Sequence, residues 1–422
     1  MSRTLVQKIF DSHLVDKPSL GIYALKTDLI MCHEITTPQA ILDIKEKWGD
    51  KVFNPSKIVA LIDHVNPAKD SATALQGKVI RDWSHRQEIE FYDVGCNGVC
   101  HALLPEQGYV RPGMTIICGD SHTCTAGAFG AFAAGVGTTD LEAAILKGIV
   151  FFREPKTMRI QLEGKLSKGV FAKDVILHLI SQLGVKGATD HVIEFCGPII
   201  KDMDMEGRLT VCNMVVEAGA TSGLCCPDEK TLTYYKEHGI TVYDFEILRH
   251  TWQPDENAVY DQDRSFGLSL LEPQVTFGNN PSEVKSISEM VGTKINQVYI
   301  GSCTNGRISD LRIAARILKG EQIPKSIRLI VVPATTEIQL QAIREGLAEI
   351  FIEAGAFFSG PTCGACLGMS NGVLTEGEVC ASTTNRNFPG RMGKGGTVHL
   401  MSPATAAATA LYGEITDPRE VI

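Results

Sequence analysis

The sequence predicts an α/β protein of parallel or mixed sheets flanked by helices, and three observations carry that expectation. Short apolar runs of the buried-strand kind recur at 57–62, 114–118, 297–300 and 326–332, continuous rather than alternating, as in strands covered on both faces. Stretches of helical period separate them. Most of these runs end in a cluster of polar, chemistry-bearing residues. In an open parallel sheet, ligands bind in the crevice outside the carboxyl ends of the strands, so this placement points to a site.

Composition bounds the reading. A chain of 422 residues with 44% hydrophobic content has room for two to three domains of roughly 100–200 residues each. Its net charge of −9 without a long basic run leaves no electrostatic footprint for nucleic acid or an anionic membrane. No stretch reaches the ~18 uncharged apolar residues of a membrane span, and the opening Met1-Ser-Arg-Thr-Leu5 lacks the apolar core of a signal peptide. Thirteen cysteines, an odd number, suggest free thiols in a reducing compartment, and the cytoplasm is expected.

In chain order, helices are expected at 4–10 and 38–48, flanking a loop that holds His33-Glu34. The run 57–62 ends in Asp63-His64-Val-Asn-Pro67. The run 88–92 leads to Gly95-Cys-Asn-Gly98 and then His101. The run 114–118 enters Gly119-Asp-Ser-His-Thr123, after which 126–147 reads as one Gly/Ala-rich helical stretch. A second α/β unit is expected at 156–271, with more charge, scattered Gly and Pro, and one dense patch, Cys212-Asn-Met-Val-Val-Glu-Ala-Gly-Ala-Thr-Ser222. The third unit, 272–422, repeats the strand–loop–helix scheme, with helices near 309–318 and 339–347 and a broken loop Thr383-Thr-Asn-Arg-Asn-Phe-Pro-Gly-Arg391. The first unit is then 1–155.

Two cysteine loops carry the strongest chemical signal. Gly301-Ser-Cys-Thr-Asn-Gly306 and Cys363-Gly-Ala-Cys366 each follow an apolar run, so both leave strand ends and three thiols could converge. Cys-x-x-Cys alone fits zinc, redox dithiol and iron–sulfur readings. Three thiolates on a 4Fe-4S cube would leave one iron without a protein ligand, the open position that Lewis-acid catalysis needs. Asp63-His64 sets a carboxylate beside an imidazole, and Asp120-Ser-His122 offers the same pair two apart, facing one side of an extended segment.

Other residues read both ways. Glu217 is a buried acid near a metal-bound water or a solvated residue. Arg386 and Arg391 clamp substrate carboxylates through planar forks, or pair with the chain's own acids. Cys118, Cys196 and Cys212 read as small hydrophobes. Cys96 and Cys100 are spaced for one helix face, and adjacent Cys225-Cys226 point awkwardly for one metal. No Gly-x-Gly-x-x-Gly or Gly-x-x-x-x-Gly-Lys-[Ser/Thr] loop supports a nicotinamide or nucleotide-phosphate enzyme.

Taken together, Asp63-His64, Gly119-Asp-Ser-His-Thr123, Asn213 with Glu217-Ala-Gly-Ala-Thr221, Gly301-Ser-Cys-Thr-Asn305, Gly360-Pro-Thr-Cys-Gly-Ala-Cys366 and Asn385-Arg-Asn-Phe-Pro-Gly-Arg391 resemble the aconitase superfamily, in order over nearly the whole chain. His33-Glu34-Ile-Thr-Thr-Pro-Gln39 is similar to a branch distinct from citrate aconitase. The resemblance implies a three-domain core without the swivelling fourth domain, which a separate small subunit would supply in a heterodimer or heterotetramer. It implies one 4Fe-4S cluster with three cysteine ligands, Cys303, Cys363 and Cys366, and dehydration of a small 2-hydroxy di- or tricarboxylate. Within it, His64 backed by Asp63 would protonate the departing hydroxyl. His101, Asp120, His122 and Glu217 would hold the hydroxyl and the iron-bound water. His33, Ser121, Asn213, Asn385, Arg386 and Arg391 would line cluster and substrate, and the base would be a serine of the small subunit. Within the resemblance, the large subunit of a homoaconitase or of a 2,3-dimethylmalate- or citraconate-type dehydratase is an alternative; a zinc- or iron-stabilised binding protein is the alternative from another class, and the Asp-His pairs count against it.

Overall fold

The computed structural model describes residues 2–422. Three parallel sheets form its frame. The first has the order Glu90–Tyr92, Ile58–Leu61, Leu29–His33, Thr115–Cys118, Phe132–Gly135. The second runs Ser222–Cys225, His191–Cys196, Lys156–Glu163, Gln262–Gly267. The third runs Phe357–Phe358, Arg328–Val331, Gln297–Ile300, Val379–Ser382, Thr397–Leu400. The continuous apolar runs account for this placement: Ile58–Leu61, Thr115–Cys118 and Gln297–Ile300 are buried at every position. An antiparallel sheet of Leu14–Ser19, Ile22–Lys26 and Ile149–Arg153, and the hairpin Gln274–Thr276 with Val284–Ser286, complete the strands.

The first and third sheets share one topology. Numbered by their own chain order, each has its strands arranged 3-2-1-4-5. The order reverses between strands 1 and 4, so a crevice opens there at the carboxyl ends. In the first sheet it lies between Leu29–His33 and Thr115–Cys118; in the third, between Gln297–Ile300 and Val379–Ser382.

A common apolar core joins the sheets. Leu29, Met31 and Ile116 of the first pack in one cluster with Met158, Ile160 and Ile193 of the second, and Tyr299 and Val398 of the third belong to the same cluster. Backbone bonds add a direct seam: Val99 N donates to Ala334 O at 2.7 Å and Thr336 N to Asn97 O at 3.0 Å.

Several local expectations are corrected. The stretch 126–147 is not one helix; it divides into the end of a 3-10 turn, Ser121–Phe129, the strand Phe132–Gly135 and the helix Thr138–Lys147. Alanine favours helix locally, but pairing with Thr115–Cys118 overrides that preference. Gly127 is needed in the turn, because a Cβ there would meet Gly223 O at 1.8 Å. The expected helix 339–347 breaks at Gly346, which adopts φ +74° between Thr336–Arg344 and Leu347–Glu353. Cys96 lies in an exposed loop before the helix Cys100–Glu106, so the two cysteines do not share a helix face.

Candidate active site

Sheet topology brings the two crevices together. The loop carrying Cys363 is stitched to the loop after Ile58–Leu61: Cys363 N donates to Asp63 O at 2.8 Å and Gly364 N to His64 O at 3.1 Å. Thr362 Oγ1 donates to His64 O at 3.1 Å, and Asn66 Nδ2 to Pro361 O at 2.9 Å. A cavity of about 190 Å³ opens at this junction. Into it face Cys303, Cys363 and Cys366, the rings of His33, His64, His101 and His122, the carboxylates of Asp63 and Asp120, Ser121, Asn385, and both Arg386 and Arg391. Ile35, Val99 and Leu367 supply its apolar wall.

Asp63 and His64 form a hydrogen-bonded pair through Asp63 Oδ1 and His64 Nδ1. The other Asp63 oxygen accepts from Cys100 N at 3.1 Å, at the start of the helix Cys100–Glu106. Burial opposes ionisation of Asp63, but the adjacent His64 outweighs it and holds the carboxyl well below its usual range. Burial likewise opposes the charge on His64, while Asp63 and Asp120 together raise the ring well above its ordinary value. With Nδ1 committed to Asp63, Nε2 points toward Asp120 Oδ2, 3.6 Å away. That nitrogen is the one placed to hand over a proton.

The Asp120 carboxylate is the hub of the opposite wall. Contrary to the extended segment expected for 120–122, it caps the 3-10 turn Ser121–Phe129, accepting His122 N at 2.7 Å. A side chain that caps a turn bends the chain locally, and His122 still reaches the same cavity. His101 Nε2 lies 3.2 Å from Asp120 Oδ1. Burial resists the Asp120 charge, yet His101, His122 and His64 around it hold the carboxyl well below the normal range. Glu217 does not line the cavity; it stands one bond behind, 2.9 Å from His122 Nε2 and accepting Arg386 Nε at 2.7 Å. Asn213 is also one step back, donating through Nδ2 to Cys303 Sγ at 3.2 Å.

The thiols sit in a dry, donor-rich shell. Cys303, Cys363 and Cys366 are 4, 6 and 1% exposed. Asn385 Nδ2 donates to Cys303 Sγ at 3.2 Å, and its Oδ1 accepts from Cys366 at 3.5 Å. The neighbouring Cys363 thiol and the Arg391 guanidinium draw the Cys366 thiol below its ordinary range, while burial pushes Cys303 up to about 12. Among the described residues, one group has three or more ligand atoms all within 4.8 Å of one another: His33, Glu34, Asp63 and His64. The three thiols are spread more widely than a single tetrahedral ion requires. Two amide donors aimed at one sulfur and the Arg391 Nε buried without a partner suit an anionic, sulfur-rich group larger than one ion. Cys100 also borders the cavity and is 1% exposed. Cys118 lies fully buried in the apolar cluster beneath the cavity.

Glu34, for which residue type alone predicts no role, anchors the Asp63-His64 loop. Its carboxylate accepts the backbone amides of Asp63, His64 and Val65 at 3.1, 2.8 and 2.8 Å. The His33 ring, at the end of its strand, stacks on His64 with centroids 4.4 Å apart. An acid directly after a strand end beside a singled-out histidine was the available signal. Glu34→Gln turns an amide group onto one of three buried N–H donors and is expected to cost about 2 kcal/mol of stability, read by denaturant unfolding.

Fold and site place the chain in a class. It belongs to the aconitase family: the model of that family, described as aconitase family (aconitate hydratase), matches residues 7–413. Among its relatives, the 3-isopropylmalate dehydratase large subunits of Geobacter sulfurreducens and Geobacter metallireducens are 60% and 61% identical, with 100% of this chain and 100% of each relative covered. The 3-isopropylmalate dehydratase large subunit 1 of Methanopyrus kandleri is 45% identical over 99% of both chains. The solved structure of Thermococcus kodakaraensis aconitase X in its holo-form aligns with a TM-score of 0.50 at 13% identity, covering 86% of this chain and 84% of that one. That last likeness speaks to fold alone.

Proposed function

We propose that this chain acts as the large subunit of a 3-isopropylmalate dehydratase, interconverting 2-isopropylmalate and 3-isopropylmalate through the dehydrated maleate, a step of leucine synthesis. One observation carries the reading: the Cys363 loop is bonded directly to Asp63 and His64, in a chain aligned over its whole length with relatives of that name at 60–61% identity. Cys303, Cys363 and Cys366 would hold one 4Fe-4S cluster. When bound, that group supplies an iron position free of protein ligands, a Lewis acid for the substrate's hydroxyl and carboxylate.

The chain's own residues divide the remaining work. His64 Nε2 protonates the departing hydroxyl, and Asp63 fixes the opposite ring nitrogen so that the proton sits correctly. His101, Asp120 and His122, with Glu217 behind them, hold the hydroxyl and the water it becomes. Arg386 and Arg391 hold substrate carboxylates through charge-assisted bonds, Asn213 and Asn385 brace the thiols, and His33 and Ser121 close the cavity wall. The carbon-bound proton goes to a base on the small subunit, which completes the cleft. Division into units at 1–155, 156–271 and 272–422 is supported by one parallel sheet in each. Thirteen free thiols support a cytoplasmic setting; no helix among the described residues is long and apolar enough to cross a membrane.

Turnover of 2-isopropylmalate tests the assignment. The chain purified without oxygen should carry about four irons and four sulfides and, alone, turn over at least about 10²-fold more slowly than when assembled with its small subunit. Rapid turnover by the isolated chain would overturn the shared-site reading. Stoichiometric zinc without sulfide would overturn the cluster.

A further inference from the structure

Of the buried cations outside the cavity, Arg208 pairs with Asp228 and Arg307 holds the carbonyls of Cys303 and Thr304, while Lys173 bridges two loops of the site. Lys173, second residue of the helix Ala172–Leu183, is 1% exposed and lines a separate cavity of about 350 Å³. Its Nζ donates to Thr383 O and Thr384 O, both at 2.7 Å, and to Asn305 Oδ1 at 3.3 Å. Three acceptors require three N–H donors, which an ammonium has and a neutral amine lacks. Asn305 is held in register by its own amide, which donates to Asp310 Oδ1 at 3.1 Å.

The lysine's partners belong to two loops that carry the thiol centre. Asn305 lies two residues after Cys303, and Thr384 immediately precedes Asn385, whose amide donates to Cys303 Sγ. Thr383 Oγ1 ties the same loops again, accepting Gly301 N at 2.9 Å. The three acceptors on Lys173 Nζ are neutral oxygens, and a buried charge is costly without an opposite one. Burial brings its ammonium down to about 7, with Asp310, Cys303 and Cys366 pulling the other way. The counter-charges the surroundings offer are the buried carboxyls of Asp310 and Asp174, beyond ion-pair distance, and the Cys303 and Cys366 sulfurs with whatever anionic group they carry.

The geometry points to Lys173 as a positioning residue that clamps the Cys303 loop to the 383–385 segment and sets an ammonium behind the cluster, governing how readily the cluster is reduced and how firmly its labile iron is held. This rests on the cluster reading above. A nearby cation favours the more negative, reduced state. Removing it should make reduction harder and oxidative loss of iron easier.

The test uses the full chain assembled with its small subunit, comparing the wild type with Lys173→Met, Lys173→Gln and Lys173→Arg. Midpoint potential is followed by electron paramagnetic resonance, and iron release is timed on exposure to air. Lys173→Gln keeps donors without charge; Lys173→Arg keeps charge, with the adjoining cavity giving its larger head room. Expected are wild-type behaviour in Lys173→Arg, and in Lys173→Gln and Lys173→Met a more negative potential with iron loss about tenfold faster. Where Lys173→Met fails to fold, the Gln and Arg variants decide. Wild-type potential and iron release in Lys173→Gln would overturn the proposal. A wild type that carries no iron and sulfide would overturn the cluster reading instead.

Discussion

Cys363→Ser should empty the site: the oxygen-free chain is expected to lose most of its iron and sulfide, and dehydration to fall at least about 10³-fold. The reason is local. Serine preserves the backbone, so Cys363 N still donates to Asp63 O and the loop keeps its stitch to His64. What disappears is a soft thiolate, one of the three that the Cys303 and Cys363 loops bring to the cavity. A hydroxyl, far less acidic than a thiol, cannot take its place as an anionic ligand at neutral pH. Iron analysis and the visible absorption of the purified variant check the first effect, and the isopropylmalate assay of the assembled enzyme checks the second. Iron content equal to wild type would mean that the ligand lies elsewhere.

His64→Ala should separate chemistry from assembly. The variant is expected to retain its iron and its fold, because none of the backbone bonds to Thr362 and Gly364 involves the imidazole, while kcat drops about 10³-fold. The ring it removes is the proton donor, with Nδ1 fixed by Asp63 and Nε2 facing Asp120 across the cavity. Asp63→Asn should reproduce part of that loss, since an amide can accept from Nδ1 but brings no charge to hold the imidazolium. A His64→Ala enzyme with wild-type kcat would move the acid to His101 or His122, which share Asp120.

Much of this site was readable from residue types alone. A thiol, an imidazole beside a carboxylate and an arginine-bearing loop have distinct chemistries, and the first two sat just beyond apolar runs. Thirteen of the fifteen singled-out residues line the same cavity, and the other two, Asn213 and Glu217, bond to its wall. The misses have physical causes. The 126–147 stretch read as helix because alanine carries a local preference, whereas its central strand exists only by pairing with Thr115–Cys118. Lys173 gave no signal, since a lysine near a helix start is usually solvated, and only the surrounding carbonyls make it structural.

By itself, then, the sequence determined which chemistries this chain holds and at which strand ends they emerge, because hydrophobic period and side-chain type are local properties. The tertiary structure decided which ends meet. Asp63 and Cys363 are 300 positions apart yet joined by one backbone bond, and the first and third sheets share a strand order that no repeated motif announces. Convergence of that kind depends on how sheets of 3-2-1-4-5 order pack through a shared core, a sum of many weak long-range contacts. No short window of residues contains it.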